Sequence, residues 1–147
     1  MTTPIREYVL AAIATRLEAQ LPSATIERAM RTEPDPAEFP LLVLTGGDMV
    51  PDETMSPGEC FWTIAFTVHG HARGADDLAA EQALSALHAA VVAALQGHEI
   101  GGYAVQLDSG ATTLELYDAE VMETPCGVFT AGFSVLAVTP LGSPYAA

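Results

Sequence analysis

The feature that most constrains this fold is a long stretch of alternating apolar and polar residues from Cys60 to His71. Successive side chains of a β-strand point to opposite faces, so this alternation predicts a strand with one buried face. One-sided burial of this kind is typical of antiparallel sheets. The buried face is expected to carry Cys60, Trp62, Ile64, Phe66 and Val68, and the other face Thr63, Thr67, His69 and His71.

Upstream of this strand lies an acidic segment, interrupted by proline and glycine, from Gly46 to Glu59. It follows a short apolar run, residues 41–45, which Gly46 and Gly47 are expected to stop. The connection is longer than a hairpin requires, and connections of that kind are often functional or mobile. The pattern therefore predicts a long loop that projects between two strands.

Two amphipathic helices are predicted, one before and one after this pair of strands. The first has Thr3 as its cap and Pro4 as its first residue, and Pro22 ends it. The second is capped by Asp76 or Asp77 and ends at Gly97, which can adopt a left-handed closing conformation. Shorter extended segments are expected at residues 24–31, 103–107, 112–117 and 127–138.

This order of elements predicts an α+β fold: a mostly antiparallel sheet of four to five strands, with two helices packed on one face. The chain has 147 residues, 50% of them hydrophobic, which suffices for one core without metal or disulfide support. We therefore expect a single domain over residues 1–147, with residues 140–147 as a frayed tail. Cys60 and Cys126 lack metal-type spacing and are expected to be reduced and buried.

Charge restricts the partners of the chain. The 5 basic residues face 19 acidic ones, and the formal net charge is −14. Arg73 is the only basic residue after Thr32, so the rest of the chain is strongly acidic. Such a surface repels phosphate, and binding to DNA or to an anionic membrane is not expected. The chain shows no continuous apolar run of membrane-spanning length and no signal-peptide pattern, which predicts a cytoplasmic protein.

The polar residues form no recognisable catalytic pattern. His69 and His71 resemble a His-x-His metal pair, but the sequence supplies no third ligand. The carboxylates of residues 48–59 lack the apolar surroundings that would separate their pKa values for acid–base catalysis. No serine lies in a nucleophile elbow, and the absence of lysine excludes Schiff-base chemistry and the phosphate-binding loop. We therefore expect no enzyme activity, no cofactor and no bound metal.

The strongest candidates for interaction are the acidic and apolar residues of the predicted loop and the N-terminal arginines. Flexible loops that carry methionine and are flanked by acids suit contacts with other proteins. A disordered surface loop is the alternative interpretation. The candidate residues are Asp48, Met49, Val50, Asp52, Glu53, Met55, Glu59, Arg6, Arg16, Arg28 and Arg31.

The order of segments also resembles a known family. The chain runs through a helix IREYVLAAIATRLEAQLP, then ATIERAMRTEPDPAEFPLLVLTGGD, ECFWTIAFTVHGHARG, an alanine-rich helix LAAEQALSALHAAVVAAL, GGYAVQL and a final strand. This arrangement resembles the tail terminator proteins of long, flexible-tailed phages and of related prophage or gene-transfer-agent particles, the group that includes the lambda minor tail protein U. The resemblance spans nearly the whole chain and rests on arrangement, without an invariant chemical motif.

The resemblance implies a compact α+β subunit of a homo-hexameric ring. Such a ring caps the tail tube, stops further addition of tail tube protein, and presents the surface for a head-completion or connector protein. It implies a virion protein of the tail, assembled in the bacterial host cytoplasm, which catalyses no reaction. DNA would pass through the ring without specific binding, and the acidic balance suits that role. The lack of lysine argues against strongly electrostatic docking through a basic face.

Other functions remain open from the sequence. A head-to-tail connector subunit of the neck fits the same arrangement, and a small metal-dependent enzyme could be built on His69 and His71. An acidic DNA mimic would share the net charge of −14, with acids spaced like phosphates. For a ring, we expect unlike surfaces of neighbouring copies to meet, with Arg6, Arg16 and residues 28–31 facing acids of the next copy.

Overall fold

The computed structural model describes residues 3–29, 34–52, 58–108, 112–119 and 124–146. Within these ranges the chain forms two α-helices, seven β-strands and a short 3₁₀ helix at Pro36–Glu38. The elements in chain order are α1 (Ile5–Gln20), β1 (Thr25–Arg28), β2 (Leu41–Asp52), β3 (Glu59–Arg73), α2 (Asp77–Leu95), β4 (Glu99–Ile100), β5 (Tyr103–Leu107), β6 (Thr113–Ala119) and β7 (Thr124–Pro140).

The strands form one mixed sheet that curls into a half-barrel. Its order is β1-β2-β3-β7-β5-β4, and β6 pairs with the first half of β7. β1 runs parallel to β2. The prediction of a four-to-five-stranded, mostly antiparallel sheet is therefore wrong. The extra strands fit because β7 is 17 residues long, so that β5 and β6 share one of its edges while β3 occupies the other.

The predicted long loop between β2 and β3 is also wrong. β2 does not stop at Gly46 and Gly47 but continues to Asp52, paired with β3, with an irregular register between Gly46 and Met49. Only residues 53–57 of the connection lie outside the described part of the chain, and β3 begins at Glu59. The two strands therefore form a long hairpin where a projecting loop was expected.

Gly46 and Gly47 lie within β2 at positions where neighbouring groups leave no room for a side chain. A Cβ atom at Gly46 would lie 2.1 Å from Arg6 Nη2, and one at Gly47 would lie 3.2 Å from the carbonyl oxygen of Ala65. The lack of a side chain at these two positions lets α1 and β3 approach β2 closely, at a point where the strand bulges.

Both helices pack on the same face of the sheet and share one apolar core with it. The alternation predicted for β3 is confirmed, since Ile64, Phe66 and Val68 are buried in this core. The core also contains Ile5, Val9, Leu10, Ile13 and Leu17 of α1, Leu84, Leu87 and Val91 of α2, and Phe129, Phe133 and Val135 of β7.

The helix bounds follow the prediction, with one difference at the start of α1. Pro4 occupies the capping position there, and Thr3 makes no side-chain cap. At α2 the Asp76 carboxylate accepts a hydrogen bond from the Ala79 amide at 2.8 Å, which confirms the predicted cap. Gly97 follows the helix with a φ of 74°, as a closing glycine does.

By length and composition α2 also meets the requirement for a membrane-spanning helix, with a mean hydropathy of 1.5. The charged and polar residues within α2, such as Glu81 and Gln82, interrupt the apolar run, so the sequence does not predict a membrane span here. A helix that lies in the core of a folded domain meets the same requirement, and α2 buries Leu84, Leu87 and Val91 against the sheet.

The last described residues contact the start of α1. The Ile5 amide donates to the Pro144 carbonyl at 2.8 Å, and the Ala146 amide donates to the Thr3 carbonyl at 3.0 Å. Ala146 is buried. Residues 141–146 are thus held by backbone hydrogen bonds and differ from the frayed tail that the sequence predicts.

A second, smaller cluster lies on the sheet face away from the helices. It is formed by Phe39, Leu41, Val43 and Cys126, with Tyr117 packed against it. Cys60 and Cys126 are both buried, as the sequence predicts.

Candidate assembly site

The part of the hairpin farthest from the start of β2 is the strongest candidate for contact with another protein. We call it the arm: residues 48–52 of β2 and residues 59–63 of β3. Val50 is 58% exposed although it is aliphatic and its backbone is paired in the sheet. Asp48 and Glu59 are also exposed. The arm therefore presents an apolar side chain from a paired strand, next to the acid Asp48 in the irregular stretch that precedes it.

Met49 is expected from the sequence to be exposed with Val50, and this is wrong. The pairing Met49–Ile64 and Val50–Thr63 places the two residues on opposite faces of the sheet. Met49 consequently packs against the core, and Val50 faces away from it. Glu53, Met55 and Arg31 lie outside the described residues, and of Asp52 only its place in the strand is described.

Val50 is one end of a row that crosses the arm on the sheet face opposite the helices. Val50 pairs with Thr63, which in turn pairs with Leu136 of β7. Thr63 is exposed, and Leu136 is 47% exposed. This end of the sheet therefore has an apolar and uncharged surface, with Asp48 beside it.

The N-terminal arginines are engaged within the chain. Arg28 contacts Glu7 at 3.2 Å, and Arg6 lies 3.7 Å from the other oxygen of the same carboxylate. Arg6 also donates to the Gly47 carbonyl at 3.4 Å. Arg6 and Arg28 are thus brought together around one acid at the edge of the sheet, where they remain partly exposed.

Arg16 lies elsewhere and has a different partner. Its Nε donates to the Ala94 carbonyl at 3.0 Å. Ala94 is in the last turn of α2, where the free carbonyls carry partial negative charge, so a cation is favourable there. Arg16 therefore joins α1 to the end of α2 and does not share a surface contact with Arg6 and Arg28.

His69 and His71 lie on one side of β3, away from the helices. The Nδ1 atom of His71 is 3.1 Å from the Tyr117 hydroxyl, and that of His69 is 3.1 Å from the Thr130 hydroxyl. The His71 ring also stacks on Phe39, with centroids 5.4 Å apart. Both rings have partners from neighbouring elements.

The surroundings of the two imidazoles favour their neutral forms. Burial lowers the pKa of His69, and burial together with repulsion from His69 lowers the pKa of His71 to about 4. In the described part of the chain, no three His, Cys, Asp or Glu residues converge in a way that could hold a metal ion. The chemistry of this cluster is that of a neutral, hydrogen-bonded packing contact.

A groove of about 540 Å³ opens between the end of α1, the start of β2, the end of β3 and the middle of α2. Its lining is mainly apolar, and Arg73 is the one ionisable residue among the described residues that form it. This groove cannot be recognised in the sequence because its walls come from four separate parts of the chain. The groove is lined by Gln20, Leu21, Pro22, Ser23, Phe39, Pro40, Ala72, Arg73, Ala83, Ala86, Leu87 and Ala90.

No family model matches the chain, and no curated protein matches it. A chain from the structure described as "Virion of native gene transfer agent (GTA) particle" is similar with a TM-score of 0.46 and 15% identity, over 88% of this chain and 95% of that one. A second solved chain, whose description names no function, gives a TM-score of 0.48 and 18% identity, over 88% and 94%. At these values neither similarity establishes a shared fold or function.

Proposed function

We propose that this protein is a structural component of a phage-type particle, a tail terminator that acts by binding and catalyses no reaction. Copies of the chain assemble into a closed ring, hexameric in the simplest case, at the end of the tail tube. The ring stops addition of tail tube protein and presents its opposite side to a head-completion or connector protein. The order of segments along nearly the whole chain, which resembles tail terminators, supports this assignment.

The observation that carries the proposal is the arm. An aliphatic side chain that is 58% exposed gains little from its place in the monomer, yet the paired backbone holds it in a fixed position. Isolated exposed apolar residues are common on protein surfaces. Here, however, Val50 extends into a row with Thr63 and Leu136 across three strands, and such a patch with acids beside it fits a contact with another protein.

The charge of the chain fits a ring through which DNA passes. A net charge of −14 opposes any lasting contact with phosphate. Three of the described arginines are partly neutralised, because Arg6 and Arg28 share Glu7 and Arg16 is bonded to a helix carbonyl. Within the described residues this leaves Arg73 as a single exposed arginine, so DNA would meet no cluster of unpaired basic residues there.

Mass measurement in solution together with negative-stain imaging tests this proposal. The protein is studied alone over a range of concentrations and also with tail tube protein from the same particle. We expect closed rings, with the mass of a small integral number of copies, in at least one of the two conditions. A chain that stays monomeric alone and also fails to bind tube ends would contradict the proposed function.

A further inference from the structure

The groove described above is shaped for an apolar side chain with an adjacent negative charge. Leu21, Phe39 and Leu87 form nearly buried parts of its lining, while Ala86 and Ala90 are exposed at its rim. A volume of about 540 Å³ lies within the range of cavities that bind ligands or anchor residues. The surrounding alanines leave room for a larger side chain to enter.

Arg73 gives the groove its charge preference. Its side chain is exposed and makes no salt bridge or hydrogen bond with any residue in the described ranges. Arg6, Arg16 and Arg28, by contrast, all have partners within the chain. A cation at the rim of an apolar groove favours an occupant that carries a carboxylate close to an aliphatic group.

The arm of this same chain has that composition, since exposed Val50 lies two residues from exposed Asp48. The arm cannot reach the groove of its own copy. β2 begins next to the groove at Leu41, and Val50 follows nine residues later, so Val50 lies roughly 30 Å away along the strand. The strands between the two sites are paired and cannot fold back.

We propose that the groove receives the arm of a second copy, with Val50 seated against Ala83, Ala86 and Leu87 and with Asp48 paired to Arg73. This inference rests on the proposed ring and identifies its subunit contact. Arm and groove are unlike surfaces at opposite ends of the same strands. A contact between unlike surfaces repeats from copy to copy, and it closes into a ring when the rotation between copies permits.

A cross-linking experiment tests the contact directly. The double variant Val50→Cys with Ala86→Cys is oxidised in dilute solution and analysed by denaturing electrophoresis. The native Cys60 and Cys126 are buried at 1% and 0% exposure, so they should not compete. We expect a ladder of covalent oligomers that ends at the ring size, because each copy has one arm and one groove.

The matched control is Val50→Cys with Ala93→Cys. Ala93 is also exposed on α2 but does not line the groove, and it lies about 10 Å from Ala86 along the helix axis. We expect little cross-linking in this variant. Equal ladders from both variants, or no ladder from Val50→Cys with Ala86→Cys under conditions where rings form, would overturn the assignment of a second copy as the occupant.

Charge exchange supplies a second, independent test. Arg73→Glu and Asp48→Arg should each weaken assembly, and the two together should restore it because the pair is re-formed with reversed signs. Val50→Asp should weaken assembly about tenfold or more, since it places a charge in an apolar groove. Leu78→Asp is the control: Leu78 is 62% exposed and lies outside the groove, and an acid is tolerated in the first turn of α2.

These results separate the groove contact from the proposed function. Rings that form normally in Val50→Asp and in Arg73→Glu would overturn the arm-in-groove contact while the ring itself stands. If the wild-type chain forms no rings while the variant Val50→Cys with Ala86→Cys gives the ladder, the result would support the contact and count against tail capping. A thermal melt of each variant excludes misfolding as the cause of lost assembly.

Discussion

Acidification should destabilise the monomer through His71. The pKa of this imidazole falls from 6.5 to about 4 in the folded chain, because the ring is partly buried and lies beside His69. Between these two values the unfolded chain binds more protons than the folded chain. The free energy of unfolding contributed by His71 is therefore fully present above about pH 6.5 and decreases as the pH falls towards 4.

The size of the effect follows from the pKa difference. Lowering the pKa of His71 from 6.5 to about 4 corresponds to at most roughly 3 kcal/mol of unfolding free energy. The ring is only partly buried, and screening by solvent reduces this to about 1–2 kcal/mol. Its hydrogen bond with the Tyr117 hydroxyl and its stacking on Phe39 are the contacts that protonation would disturb.

Urea unfolding at a series of pH values measures this contribution. Trp62 is the single tryptophan of the chain, and its indole donates to Thr139 at 2.7 Å, so its fluorescence should report the loss of the core. Wild type is compared with His71→Gln at one fixed protein concentration, because assembly would otherwise add to the apparent stability. Taking the difference between the two proteins removes the shared titration of carboxylates.

We expect the unfolding free energy of wild type, relative to that of His71→Gln, to decrease by about 1–2 kcal/mol between about pH 7 and pH 4.5. His98→Gln is the control, since His98 is exposed and lies outside the cluster. A difference between wild type and His71→Gln that does not change with pH would refute the reasoning. A slope of equal size in the His98 comparison would refute it as well.

Two further substitutions test the packing. Gly70→Ala should cost about 2–4 kcal/mol of unfolding free energy, because the new Cβ would lie 1.8 Å from the Phe129 ring. Chemical denaturation measures this loss, and a change below about 0.5 kcal/mol would contradict the prediction. Arg16→Met should cost about 1 kcal/mol by losing its bond to the Ala94 carbonyl. Arg73→Met should leave monomer stability unchanged within about 0.5 kcal/mol. An equal loss of stability in Arg16→Met and Arg73→Met would contradict a structural role for Arg16 alone.

The elements with strong local signals could be predicted from the sequence. The alternation of Ile64, Phe66 and Val68 identified β3 and its buried face, because a period of two is specific to strands. Asp76 and Gly97 marked the ends of α2 because a capping carboxylate and a left-handed glycine act locally. The burial of Cys60 and Cys126 followed from the strand pattern around them.

The sheet could not be predicted in full because its pairing is not local. Glycine and proline in residues 46–51 are typical turn residues, yet here they belong to β2. Gly46 is needed for the approach of Arg6, and Pro51 is tolerated because β1 pairs only with residues 41–44 and leaves this part of β2 as an edge. Four residues in β1 are too few to reveal a parallel pairing.

The candidate site was predicted in part. Asp48 and Val50 are exposed as expected, because the acids and the turn-like composition marked this segment as a surface. Met49 could not be separated from Val50 without the strand alternation that turns it inward. The groove was missed altogether, since Phe39, Arg73 and Ala86 converge only after the helices pack on the sheet.

The most direct test of the central claim is the length of tail tubes assembled with and without this protein. Tail tube protein from the same particle is polymerised in the presence of increasing amounts of the chain, and tube lengths and tube ends are measured by electron microscopy. Capping predicts shorter tubes that each carry a ring at one end, with Val50→Asp less effective than wild type. Tubes of unchanged length with bare ends, at a concentration where rings of the protein are present, would contradict the account.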